Sequence, residues 1–333
     1  MSTARHIIAL LKSYAEGQEQ QFHSAALQMA AHEARLGHRK LAQEIKAIVE
    51  QAKASRSDII QKKGPVPLVQ PKGELASILS AGYPNTRLSD MVLPHELESR
   101  LSRILTEQRQ RNRLGAYNLS PRRKILLVGP PGAGKTMSAS ALAGELQLPI
   151  FTIIYSSLIG KYMGETASRL KLVFDSMANT RGVYFFDEFD AIGTQRSNVN
   201  DVGEIRRILN SFLLFIENDE SESLIVAATN HPNLLDPALF RRFDDVLEYQ
   251  LPSREMVRRL VEKRLGMFTI QWKSWEDILK ASQGLSPADI IRASDEAAKQ
   301  AVLFDTEKVS KQSLIKAISE RKNIDFEKAK INS

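Results

Sequence analysis

Apolar and polar positions change their period along the chain. Up to about residue 57 apolar residues return at helical spacing. Ile7, Ile8, Leu10, Leu11 and Tyr14 make one stripe. Phe22, Ala25, Ala26, Met29 and Ala30 make a second, and Leu41, Ile45, Ile48 and Val49 a third. Gly17 and Gly37 punctuate them, so residues 1–60 are expected to form a small three-helix bundle. Residues 61–73 are rich in Pro and Gly and read as a semi-rigid linker. From 74 to 250 short apolar runs alternate with helical periodicity. Strands are predicted at 124–128, 150–155, 183–186, 224–228 and 245–249, in a parallel sheet of α/β type. Beyond Pro252 the period is helical throughout. This predicts a small helical domain over 251–333, with a polar, basic tail after Arg321 that frays.

Candidate chemistry begins where the first predicted strand of this region ends. Ile125-Leu126-Leu127-Val128 runs into Gly129-Pro130-Pro131-Gly132-Ala133-Gly134-Lys135-Thr136, and a helix opens at Met137. Strand, G-x-x-x-x-G-K-[ST] loop and helix together make a phosphate-binding loop. Its glycines let backbone N–H groups close around phosphate oxygens, and the helix N-terminus adds partial positive charge. Lys135 suits the β- and γ-phosphates and the Thr136 hydroxyl suits Mg²⁺. The cofactors implied by the motif are a nucleoside triphosphate and Mg²⁺.

Val183-Tyr184-Phe185-Phe186 reads as a strand buried on both faces, and it ends in Asp187-Glu188. Acids at the C-terminal end of a parallel strand fall where such sheets bind ligands. Asp187 suits Mg²⁺, and Glu188 suits the base that orients and deprotonates an attacking water. The strand 224–228 leads to Thr229-Asn230, where Asn230 suits the lytic water or the γ-phosphate. Arg241 and Arg242 are adjacent and cannot share one face. That favours a pair aimed out of the domain over a local ion pair, although two arginines alone are usually surface charge.

From about Leu88 to Val302 these motifs resemble the AAA ATPase family in order and spacing. Leu88 to Pro94 is similar to the segment that packs on the adenine. Gly129 to Thr136 resembles the Walker A loop, and Phe185 to Asp190 the Walker B segment with its catalytic glutamate. Asn230 resembles sensor 1, and Arg241 and Arg242 the arginine fingers supplied in trans. Gly284 to Ile290 resembles the start of the sensor-2 helix, with small residues around Pro287-Ala288 and Arg292 a turn later, as in the remodelling-type group that lacks the sensor-2 arginine. The resemblance implies ATP as the triphosphate, a P-loop NTPase parallel sheet as the AAA large domain, a helical lid domain, and ring assembly, most often as a hexamer. Leu158 to Thr166 is a loop whose Lys161, Tyr162 and Met163 resemble the family's pore loop, which grips polypeptide. Read without the family, these are tucked residues at a helix start. Gly193 to Gly203 suits a second pore loop, with Glu204, Arg206 and Arg207 facing a neighbour.

Composition narrows the function classes. Hydrophobic residues make up 43% of 333, cysteine is absent, and the six histidines lack metal-ligand spacing. No apolar run spans a membrane and no signal-peptide pattern opens the chain, so a cytoplasmic location is expected. The net charge of +7 is uneven: residues 100–124 carry many arginines against the single acid Glu107. A solvated helix with a subunit contact is the simpler reading; a nucleic-acid face is the other. Two functions follow. One is a homo-oligomeric protein remodeler, with residues 1–60 selecting a polypeptide substrate or adaptor. The other is a nucleic-acid-associated ATPase, a loader or regulator of transposition or replication. The layout is also similar to bacterial AAA ATPases that serve a separate subtilisin-like protease in plasmid maintenance or phage defence. This chain holds no protease motif of its own.

Overall fold

The computed structural model describes residues 70–159, 165–189, 201–304 and 308–331, with Ala26, Met29, Ala30, His38 and Gln43. The chain divides into two compact units, Met1–Val69 and Gln70–Ser333. In the first, Ala26, Met29 and Ala30 are helical, and Ala26 and Ala30, one turn apart, are buried. The rest of the expected bundle and the linker up to Val69 lie outside the described residues, as do Lys161, Tyr162 and Met163 and residues 193–200.

The second unit is built on a six-stranded sheet. Its strands are β1 (Leu79–Gly82), β2 (Lys124–Val128), β3 (Ile150–Ile153), β4 (Val183–Phe186), β5 (Leu224–Thr229) and β6 (Asp245–Glu248). They lie in the order β1-β3-β4-β5-β2-β6, with every neighbouring pair parallel except β1 with β3. The phosphate-loop strand β2 therefore sits between β5 and β6, inside the sheet. Side chains alternate between two cores as strand geometry requires. Ile125, Leu127, Val183, Phe185, Val226 and Ala228 face one layer. This layer is covered by α1 (His95–Arg109) and α2 (Lys135–Leu146). Leu126, Tyr184, Phe186, Ile225 and Ala227 face the other. There α3 (Glu165–Asn179) and α4 (Asp201–Asn218) pack, with Phe174 and Phe212 edge to face at 5.9 Å.

A third core belongs to the lid. It is formed by α5 (Arg254–Arg264), α6 (Glu276–Ala281), α7 (Pro287–Leu303) and α8 (Lys311–Ile331), around Val257, Leu260, Ile278, Ile290, Ala293 and Leu314. Ser253 and Ser286 cap α5 and α7, each accepting from the backbone N–H three residues on.

Three expectations are corrected, and one strand was not foreseen. The lid is not purely helical, because β7 (Thr269–Ile270) and β8 (Lys308–Val309) form a short parallel pair. β1 was not predicted; Leu-Ser-Ala-Gly has no β-branched residue, and pairing along β3 supplies what propensity does not. The second predicted strand stops at Ile153, since Tyr155–Leu158 is already a helical turn. The tail after Arg321 continues α8 as helix to Ile331. Among the described residues no helix is long and apolar enough to cross a membrane.

The basic stretch 100–124 is tied into the fold. Arg100 and Arg122 flank Asp245. Arg103 pairs with Glu107, Arg109 with Glu145, Arg111 with Glu222 and Arg123 with Asp219. The acids absent from this stretch come from elsewhere in the chain.

Candidate active site

β2, β4 and β5 deliver their C-terminal ends to one edge of the sheet, and the motif residues meet there. The phosphate loop is held from three sides. Gly129 N–H donates to the Thr229 carbonyl at 3.3 Å, anchoring the loop to β5. Gly129 has φ 145°, and a Cβ there would come within 2.3 Å of the Tyr249 carbonyl oxygen, so only glycine fits. Below the loop the Tyr249 hydroxyl donates to Ser138 Oγ at 2.6 Å, and Ser138 Oγ donates to the Gly134 carbonyl at 3.1 Å. Burial pushes the Tyr249 phenol up to about 12, against the opposing pull of the Ser138 hydrogen bond. On the third side the lid touches the loop. Ala288 N–H, in the first turn of α7, donates to the Gly132 carbonyl at 3.1 Å. A Cβ on Gly132 would lie 2.5 Å from Ser286 Oγ.

Lys135 is almost fully buried. Its ammonium donates to the carbonyls of Gly129 at 2.6 Å and Pro130 at 2.8 Å, and to Asn230 Oδ1 at 2.8 Å. The sensor-1 candidate at the end of β5 is thus in direct contact with the loop lysine. Thr136 Oγ1 donates to Asp187 Oδ2 at 2.8 Å, and Asp187 Oδ1 accepts the Glu188 N–H at 3.0 Å. Among the described residues no group of three or more His, Cys, Asp or Glu side chains converges on a point. One hydroxyl beside one carboxylate nevertheless fits Mg²⁺, which takes few protein oxygens and completes its shell with phosphate and water.

Glu188 has φ 52°, left-handed for a residue that is not glycine, at a cost of roughly 1–2 kcal/mol. The bend splits neighbours. Glu188 is exposed into the cleft, while Phe189 turns back into the core against Phe212 at 4.6 Å. Phe189 N–H donates to the Ala228 carbonyl at 2.8 Å and fixes the turn.

These residues line a cavity of about 830 Å³. Pro131 to Met137, Asp187, Glu188 and Asn230 form one end. The other end is bounded by Asp90 to Leu93 on one wall and by Leu260, Lys263, Arg264 and Ile291 of the lid on the other. Arg292 also lines the cavity, one turn beyond Ala288. The loop end suits a triphosphate, and Met91, Val92, Leu93, Leu260 and Ile291 offer a base apolar surface at the other. Sequence reasoning did not single out Lys263 and Arg264, which look like ordinary charges on an amphipathic helix. Arg292 could be traced only as the residue one turn into α7.

Arg241 and Arg242 lie outside this cavity and are not equivalent. Arg242 donates to the Ala238 carbonyl at 3.0 Å and pairs with Glu217 at 3.4 Å. Arg241 is exposed, and its side chain makes no hydrogen bond or ion pair among the described residues. The expectation of two outward arginines is corrected for Arg242, because Glu217 at the end of α4 lies within its reach.

Residues 125–251 match the family described as "ATPase family associated with various cellular activities (AAA)". A relative named as an uncharacterised AAA family ATPase, y4kL, of Sinorhizobium fredii is 31% identical over 93% of each chain. The ATP-dependent zinc metalloprotease FtsH 4 of Sphaerobacter thermophilus is 34% identical over 68% of this chain, which spans only 36% of that protein. A putative 26S proteasome regulatory subunit homolog of Methanothermobacter thermautotrophicus is 33% identical over 60% of this chain and 55% of its own. The crystal structure of the FIGL-1 AAA domain superposes with a TM-score of 0.59 over 77% of this chain and 91% of that one, at 24% identity, a likeness of fold. With the family match and a relative alike over 93% of each chain, the chain belongs to the AAA family and is an ATPase.

Proposed function

We propose that this ATPase is a ring-forming protein remodeler, hexameric in its working state, that draws polypeptide through a central pore. The observation that carries the reading is the position of Arg241. It stands exposed and outside its own chain's cavity, as suits a finger given to a neighbour's nucleotide. In this reading Gly129 to Met137 hold the triphosphate, and Thr136 and Asp187 would hold Mg²⁺, which when bound neutralises phosphate charge. Glu188 takes the proton from water as the water oxygen attacks the γ-phosphorus and the bond to the β-phosphate oxygen breaks. Asn230, held by Lys135, orients that water. Lys161, Tyr162 and Met163 grip the substrate, and residues 1–60 select it.

Polypeptide is favoured over nucleic acid by the arginines of residues 100–124. Six of them, Arg100, Arg103, Arg109, Arg111, Arg122 and Arg123, are paired with acids within the fold, which offsets part of the positive field a phosphate-binding face needs. The names of two relatives, a metalloprotease and a proteasome regulatory subunit homolog, lend support to protein as the substrate. Proteolysis coupled to this ATPase would reside in a separate chain. The test is to purify Glu188→Gln with ATP and identify what co-purifies. The variant is expected to bind ATP, hydrolyse it at least a hundredfold more slowly, as for loss of a general base, and retain protein. Turnover at the parental rate would remove Glu188 as the base. DNA or RNA in place of protein would overturn the remodelling reading.

A further inference from the structure

Lys263 is the lid side chain that crosses to the opposite wall of the cavity. It sits one turn after Leu260 on α5, and both line the cavity. Its ammonium donates to the Ser89 carbonyl and stands 3.5 Å from the Met91 carbonyl. These two carbonyls bracket Asp90, at the start of the facing wall. The neighbouring charges are engaged elsewhere: Arg264 with Asp295, and Glu262 with Arg258. Among the described residues the lid therefore has two hydrogen-bonded attachments across the cavity, beside the packing of Val92 on its core. At the phosphate end Ala288 N–H bonds the Gly132 carbonyl, and at the base end Lys263 bonds the 89–91 segment.

We propose that Lys263 is a positioning residue, a latch that holds the lid over the base end of the nucleotide and sets the rate of nucleotide release. The inference rests on assigning the cavity to the nucleotide. With phosphates on Gly129 to Thr136, the base lies between the Asp90–Leu93 wall and the Leu260–Ile291 wall. Departure requires those walls to part, and parting them breaks the Lys263 hydrogen bonds. Lys263 and Ser89 are both exposed, so water takes over their hydrogen bonds when the side chain is shortened, and the fold is retained. What changes is the barrier to opening.

The test uses the full-length protein and a fluorescent ADP analogue, N-methylanthraniloyl-ADP, with dissociation followed by stopped flow. Lys263→Met is expected to release it faster by about three- to tenfold, the size of one exposed charge-assisted hydrogen bond, with association little changed. Lys263→Arg keeps a donor and should stay near wild type. Lys299→Met, a lid lysine paired with Glu296 away from the cavity, should match wild type. Nucleotide-free melting temperatures should agree across the set. Unchanged release from Lys263→Met overturns the latch, as does release from Lys263→Arg that is just as fast as from Lys263→Met. A wild-type protein that does not bind the analogue overturns the nucleotide assignment itself, which separates the two failures.

Discussion

Tyr249→Phe removes one oxygen from beneath the phosphate loop, and its cost can be worked from the contacts. The phenol donates to Ser138 Oγ at 2.6 Å, and that oxygen in turn donates to the Gly134 carbonyl. Deleting the phenol hydroxyl leaves the Ser138 donation intact but takes away the bond its buried oxygen accepts. One such neutral hydrogen bond is worth about 1 kcal/mol, or roughly 2–4 °C of melting temperature in a unit of this size. Ser138→Ala strands the buried phenol instead and costs about 1–3 kcal/mol. Replacing both removes donor and acceptor together, so the double variant should lose about 1 kcal/mol less than the sum of the singles. The assay is denaturant or thermal unfolding of the four proteins as a cycle, with ATP turnover measured on each. The phenol also predicts a pH effect. Its folded value is raised to about 12 from an ordinary 10, so the folded state keeps its proton longer than the unfolded chain. Stability is therefore intact below about pH 10 and falls as pH rises toward 12. Tyr249→Phe should flatten part of that fall, leaving the part due to Tyr184, whose burial raises it to about 12 as well. Strict additivity of the singles, or an unchanged alkaline slope in Tyr249→Phe, would refute the reasoning.

Gly132→Ala places a methyl 2.5 Å from Ser286 Oγ on a backbone of φ 72°, so it should push the lid from the loop and weaken ATP binding, by titration calorimetry, far more than it lowers the melting temperature. Arg241→Ala should keep ATP affinity and lose hydrolysis by roughly 10³-fold or more, with partial rescue in rings mixed with Lys135→Ala chains; full activity from a strictly monomeric Arg241→Ala would count against a finger in trans. Arg242→Ala should lose less, and Glu217→Ala, which frees Arg242 from its partner, should reproduce part of that loss in steady-state turnover. Tyr162→Ala should keep basal ATPase and abolish remodelling of substrate, whereas a drop in melting temperature matching a core aromatic, roughly 3–5 kcal/mol, would place that side chain in the interior instead.

Most of the sheet was legible because β2, β3, β4 and β5 are largely apolar runs of four to six residues, mostly buried on both faces, and each ends in a turn or motif signal. β1 was not, since its small residues carry no preference of their own. The phosphate loop and the acids at the end of β4 were legible because local spacing fixes their chemistry. The split between Arg241 and Arg242 was not, because it depends on Glu217, far away in sequence and brought near only by the packing of α4. Lys263 was hidden for the same reason: its partners are backbone carbonyls of residues 89 and 91, which no side-chain pattern announces.

The left-handed turn at Glu188 makes the interior part of the aiming of the proposed base. Because Phe189 is buried and pinned to Phe212 and Ala228, the direction of the Glu188 carboxylate is set by how aromatic rings settle on the far side of the backbone. A change at Phe189 or Phe212 would swing the carboxylate without touching the cleft. In a mutational map of this enzyme, loss of turnover at those two positions with the melting temperature kept would report misalignment transmitted through the core, and the boundary between a residue that folds the protein and the residue proposed to run its chemistry passes through a single peptide bond.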